Sequence, residues 1–293
     1  MRENALWIIL LGLVSFAGIS IHQAFQIDSL PQIIKAPDLD QPFNFAGEAI
    51  PRANQDVIDR LDRELITNAY LHGSTILNIK LAARHFPLIE KILQEKGIPI
   101  DFKYLVPVES NFTNATSPSG AKGFWQFMTP TARALGLEVN DKVDERFHLE
   151  KATYAACAHI KDLYRQFGSW TLAAAAYNGG GERISRELKA QKVDNFYDLY
   201  LNSETSKYVF RILAIKAILN DPQKYGFDLD NKNLYKPLQN IHQIQIDTSI
   251  NDLPAFARSQ GTTYRMLRYL NPWLIDRSLP VKGKSYTLNI PDK

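Results

Sequence analysis

From Asp56 onward the apolar residues recur at helical spacing, and no convincing strand is read before residue 238, so most of this chain is expected to fold as packed helices. Val57, Leu61, Leu65 and Ile66 set the spacing, and Leu77, Leu81, Ile89 and Leu93 continue it. Phe86-Pro87 interrupts the second run and predicts a break into two helices. Asp101 is suited to open the next helix, which Pro107 is expected to end or bend just before Glu109. Residues 113–123 read as a loop by composition. Thr129-Pro130 then opens a helix with threonine at the cap and proline first. Two alanine-rich runs follow, residues 149–167 and 169–177, the second stopped by Asn178-Gly179-Gly180-Gly181. A further amphipathic helix is expected over 209–219, and no strand before residue 238.

The tail has a different grammar. Ile241, Ile244 and Ile246 read as a short strand, 252–259 and 262–270 as two short helices, and Tyr286, Leu288 and Ile290 as a closing strand. Lys236-Pro237 supplies a boundary. The expected organisation is therefore mostly α: a helical domain over 56–235, then a small β-α-α-β unit over 239–293.

The other end points to export. Behind Arg2, residues 5–21 run without a charge, which predicts a cleaved signal peptide or an uncleaved signal anchor over 1–26. Residues 27–55 carry Pro31, Pro37, Pro42 and Pro51 and are expected to be a linker that lifts the rest off a membrane. Cys157 is the single cysteine. It excludes an internal disulfide and a lipid-modified cysteine after the leader, and its alanine-rich helix makes it a small buried hydrophobe. The six histidines form no ligand pattern, so no metal and no cofactor are expected. The net charge of +3 is too sparse for nucleic acid but suits an anionic polymer.

One acid stands out. Glu109 lies at the end of an apolar segment, between Val108 and Ser110 and near Phe112. Burial there would raise its pKa into general-acid range, whereas a solvent-facing position would leave it ordinary. A polar loop ending in Gly123-Phe124-Trp125-Gln126-Phe127 follows. Ala176-Tyr177-Asn178 comes later, against a glycine run. Rings, amides and hydroxyls on tight turns are the parts of a carbohydrate cleft.

Four segments resemble, in order and spacing, the motifs of the lytic transglycosylases of glycoside hydrolase family 23. They are Glu109-Ser110, residues 117–130, Ala176-Tyr177-Asn178 and residues 204–209. The resemblance spans about residues 75–220 and implies a lysozyme-like helical catalytic domain. It implies that Glu109 protonates the glycosidic oxygen between N-acetylmuramic acid and N-acetylglucosamine. Glu109 would then act as base toward the muramic C6 hydroxyl, leaving a 1,6-anhydro end with no second carboxylate. Tyr177 is expected to hydrogen-bond Glu109, with Ser110, Gln126, Asn178 and Tyr208 orienting the glycan. Phe124 stands where the family usually has leucine, and Ser203 where proline often precedes the fourth motif. Asp144-Glu145-Arg146 reads as a structural charge cluster. The tail resembles a lysin-motif domain with a divergent opening at Asn251-Asp252-Leu253. From 239 to 293 it carries seven basic residues against four acids, which favours wall binding; packing on the catalytic domain is the competing role. The expected partner is peptidoglycan in the cell envelope. A lysozyme-type hydrolase and a silent peptidoglycan-binding module are the alternatives.

Overall fold

The computed structural model describes residues 35–292. Residues 37–292 form one unit, in which helices build the larger part. Helix α1 (Gln55–Tyr70) starts on Asn54, whose side chain accepts from the Asp56 amide, and buries Val57, Leu61 and Leu65 at four-residue spacing. Helix α2 (His72–Glu95) runs unbroken through Pro87, against the expected break. Pro87 is on the exposed face, where the carbonyl left without its amide partner can reach water. A 3-10 turn (Ile100–Tyr104) leads into α3 (Leu105–Ser110). Pro107 falls within the first turn of α3, where a missing N–H costs little, so the helix carries on through Glu109.

Next come α4 (Thr129–Ala134), capped at Met128 rather than Thr129, and α5 (Leu149–Phe167), with the predicted bounds. Helix α6 (Trp170–Gly179) buries Ala173, Ala174, Ala175 and Ala176. These small side chains let it lie against α5, α7 (Gly181–Gln191) and α8 (Ser203–Asn220) at once. Helix α8 begins at Ser203, well before the expected Val209, and brings the fourth motif into its first turns. It buries Tyr208, Val209, Phe210, Ile212, Leu213 and Ile215, with α1 along its length, and so forms the centre of the domain.

The linker expectation needs correction where it can be seen. Residues 44–45 (β1) and 48–49 (β2) pair as a minimal hairpin, contrary to the expectation of no early strand. Phe43, Phe45 and Ile50 are buried in the main core. The Ala46 amide donates to Asp101 (2.7 Å), and Glu48 caps α6 by accepting from the Trp170 and Thr171 amides (2.6 and 2.8 Å). Two phenylalanines inserted among the prolines supply enough apolar surface to anchor the segment. Residues 1–34, including the charge-free run, lie outside the described residues. No helix among the described residues is long and apolar enough to cross a membrane.

The tail has the expected strand-helix-helix-strand order. Strand β3 (Ile241–Ile246) pairs antiparallel with β4 (Tyr286–Pro291), and α9 (Leu253–Ser259) and α10 (Tyr264–Leu270) lie between them in sequence. It has its own core of Leu253, Leu267, Trp273, Leu279, Leu288 and Ile290, completed by Val143 from the helical domain. A cleft of about 730 Å³ opens between α2, Phe124 and this tail.

Candidate active site

Glu109 is the penultimate residue of α3. The chain leaves it through two consecutive left-handed residues, Asn111 (φ 48°) and Phe112 (φ 56°). The turn is held because Asn111 Oδ1 accepts from Asn78 Nδ2 (2.9 Å) and Ser74 Oγ (3.1 Å), while Phe112 is buried beside Phe86. Such a backbone costs about 1–3 kcal/mol per residue and persists only where packing over-determines it.

The tyrosine roles differ from the expectation. Tyr208, not Tyr177, donates to Glu109: its hydroxyl is 2.5 Å from Oε1. Tyr177 donates instead to the Trp125 carbonyl (2.7 Å), fixing the second-motif loop to the end of α6. The sequence places both tyrosines near the acid, but only helix phase decides which hydroxyl reaches it. Both phenols are pushed well above their ordinary pKa by burial and by the neighbouring Glu109 charge, so both remain donors at neutral pH.

Ser110 and Gln126 both bond to the backbone of the second-motif loop. Ser110 is buried, with Oγ within reach of the Val106 carbonyl (3.1 Å) and the Phe124 carbonyl (3.0 Å). Gln126 has a left-handed backbone (φ 49°), and its Nε2 donates to the carbonyls of Gly123 (2.8 Å) and Ala115 (3.2 Å). The Ser110 hydroxyl and the Gln126 amide nitrogen thus fasten the loop. Asn178, on the last turn of α6, keeps a buried Oδ1 with no hydrogen-bond partner among the described residues.

The loop rests on residues that the sequence marks only as a charge cluster. Asp144 and Arg146 are buried and joined by two hydrogen bonds (2.8 and 2.7 Å). Arg146 also donates to the carbonyls of Phe127 (3.1 Å) and Gly120 (3.3 Å). The Trp125 indole donates to Thr153 (3.0 Å). The acid-x-basic spacing is visible in the sequence, but nothing local tells that the pair turns inward onto another loop's carbonyls.

Burial is the dominant influence on Glu109 and carries its pKa up to about 7. The Tyr208 hydrogen bond pulls it back down, the Glu204 charge adds to the rise, and Arg211 opposes it. Arg211 lies between Glu64 (3.4 Å) and Glu204 (3.5 Å), so most of its charge is already matched. A groove of about 360 Å³ runs beside α3, lined in part by Arg63, Asn68, Asn111, Lys207 and Arg211. A desolvated acid near neutrality, with a fixed donor on one oxygen, is equipped to give and take one proton at pH 7.

Two family models match the chain. Residues 87–199 match the Transglycosylase SLT domain, and residues 242–293 match the Soluble lytic transglycosylase C-terminal LysM-like domain. The chain thus carries a lysozyme-like SLT domain followed by a LysM-like one. It is similar to the membrane-bound lytic murein transglycosylase D of Escherichia coli (strain K12), with 28% identity over 267 residues. That match covers 88% of this chain and 57% of the relative, so the chain spans little more than half the relative's length. The peptidoglycan transglycosylase gp16 of Escherichia phage T7 is 33% identical over 133 residues, covering 44% of this chain and 10% of gp16. Among solved structures, an inactive mutant of the lytic transglycosylase Slt from Pseudomonas aeruginosa aligns with 21% identity and a TM-score of 0.38. It covers 52% of this chain and 26% of Slt.

Proposed function

We propose that this chain is a lytic transglycosylase of the cell envelope, cleaving the bond between N-acetylmuramic acid and N-acetylglucosamine with Glu109 as its single acid/base. The observation that carries this reading is Glu109 itself, desolvated to a pKa of about 7 and held by Tyr208 among the four motifs. The protonated carboxyl gives its proton to the bridging oxygen as the C1–O bond breaks. The carboxylate then takes the proton of the muramic C6 hydroxyl as its oxygen bonds C1. The acid is regenerated and no water enters. Tyr208 steadies the carboxylate form. Ser110, Gln126 and Tyr177 act as positioning residues through the loop carbonyls, and Asn178, on the last turn of α6, orients the glycan. Residues 1–26, as a cleaved signal or an anchor, would deliver the domains outside the cytoplasm.

The full chain, solubilised in detergent and incubated with peptidoglycan, is expected to release muropeptides one water lighter than their reducing counterparts. Mass spectrometry of the soluble products reads this directly. Reducing ends would transfer the reading to a lysozyme-type hydrolase. Retained binding without any product would leave a wall-binding module.

The pH profile is a second test. Glu109 must begin the reaction protonated, so kcat/KM should fall as pH rises through about 7, by about tenfold per unit. Tyr208→Phe removes the hydrogen bond that favours the carboxylate, so this limb should move to higher pH. A limb that stays in place, or moves down, would show that Tyr208 does not act on the titrating group.

A further inference from the structure

Residues 138–148, between α4 and α5, face two ways. On one side they enter the C-terminal unit. Val143 is 1% exposed and sits in that unit's core, the Asp144 amide donates to the Trp273 carbonyl (2.9 Å), and the Ile275 amide donates to the Lys142 carbonyl (2.9 Å). Lys142 pairs with Asp276 (2.8 Å), Glu138 accepts from Lys284 and from the Tyr286 hydroxyl, and the His148 ring stacks on Trp273. On the other side the same residues hold the catalytic loop. The Asp144 carboxylate grips Arg146, Arg146 donates to the Gly120 and Phe127 carbonyls, and Gly123 lies directly against the Arg146 backbone. Asp144 thus makes its main-chain bond to the C-terminal unit and gives its side chain to the residue that fixes the loop carrying Trp125 and Gln126.

We propose that residues 241–292 act as a fixed brace for the loop of residues 113–127, with Trp273 and Asp276 as positioning residues that work on the Glu109 site through residues 138–148. A module that only tethers glycan needs no such contacts. It would not take Val143 of the helical domain into its own core, nor have a main-chain bond, from the Trp273 carbonyl, end on the residue that grips Arg146. The kinetic part of this inference rests on the proposed activity; the structural part does not.

The test reverses charge at the junction of the full chain. Asp276→Lys with Lys284→Glu sets like charges against Lys142 and Glu138. Adding Lys142→Asp and Glu138→Lys restores opposite signs. Hydrogen exchange across residues 115–127 reads the loop through amide bonds such as Gly123 to the Ala115 carbonyl (3.0 Å) and Lys122 to the Phe127 carbonyl (3.1 Å). In the double variant these amides should exchange about tenfold faster. Turnover of soluble glycan strands should fall about tenfold in kcat with KM nearly unchanged, as expected of a loop displaced rather than a binding site removed. Sedimentation with insoluble peptidoglycan should be unaltered, and the quadruple variant should recover both losses. Wild-type exchange and kcat in the double variant would overturn the proposal. So would a kcat loss that the quadruple variant fails to recover, or a defect confined to sedimentation. If the double variant does not fold, Asp276→Asn alone is measured in the same way, and unchanged exchange at 115–127 then counts against the brace. A wild type without turnover defeats the proposed activity, while the exchange result still decides this one.

Discussion

Glu109→Gln is expected to lower peptidoglycan turnover by about 10²–10⁴-fold, the range over which a positioned acid contributes, and at the same time to make the protein more stable at neutral and alkaline pH. The two effects have one cause. The folded-state pKa of about 7 is above the ordinary 4.5, so the folded chain holds this proton more tightly than the unfolded chain does. Stability from this group is present at low pH and is lost as pH rises from the unfolded value through about 7. Above that, the folded protein carries the whole cost of an ionised, desolvated carboxylate. Glutamine has the same shape, can still accept from Tyr208 and carries no such cost. The variant should therefore gain about 1–3 kcal/mol near pH 8, raising Tm by about 2–8 °C, and should converge with the wild type near pH 4. Calorimetry at the two pH values, beside product analysis, checks both halves. An inactive variant that also melts lower at high pH would mean that Glu109 is structural rather than a strained catalyst.

That strain is partly legible in the sequence. An apolar segment ending in a glutamate foretells desolvation, and the order of the four motifs foretells which elements meet around it. Helix α5 is readable to its ends because alanine periodicity and a following glycine act locally. What escapes the sequence are features settled at a distance. Pro87 does not break α2 because its exposed position lets water take over the lost bond. The prolines at 37, 42 and 51 suggest a tether, yet Phe43 and Phe45 find a core that only the folded helices provide. Tyr177 and Tyr208 both read as cleft residues, but their partners depend on the relative rotation of α6 and α8, which local pattern does not fix. Ser110 and Gln126 look like ligand-reading groups because they are polar. In the fold the Ser110 hydroxyl and the Gln126 amide nitrogen bond to loop carbonyls, as polar groups beside a tight turn commonly do.

Gly123 is the loop glycine packed closest against a distant segment. Its φ is +79°, and a Cβ at this position would fall 1.9 Å from the Arg146 carbonyl oxygen and 2.7 Å from the carbonyl carbon. Neither partner can yield cheaply, because Arg146 is held by Asp144 and by two carbonyls of this very loop. Gly123→Ala should therefore cost about 3–5 kcal/mol, combining a left-handed alanine with a backbone displaced from its seat. It should also lower kcat by about a hundredfold, since the Gly123 carbonyl holds Gln126 and a shift of about 1 Å near a reacting centre costs that much. Gly120→Ala separates the two contributions. Gly120 has φ +88° in the same loop, but an added methyl group there would meet nothing within 4 Å. It should lose only the conformational part, about 1–2 kcal/mol, with little change in kcat. Equal losses of Tm and turnover in the two variants would mean that the close approach to Arg146 is relieved at no cost, and that the loop is not held against residues 144–146 as the contacts imply.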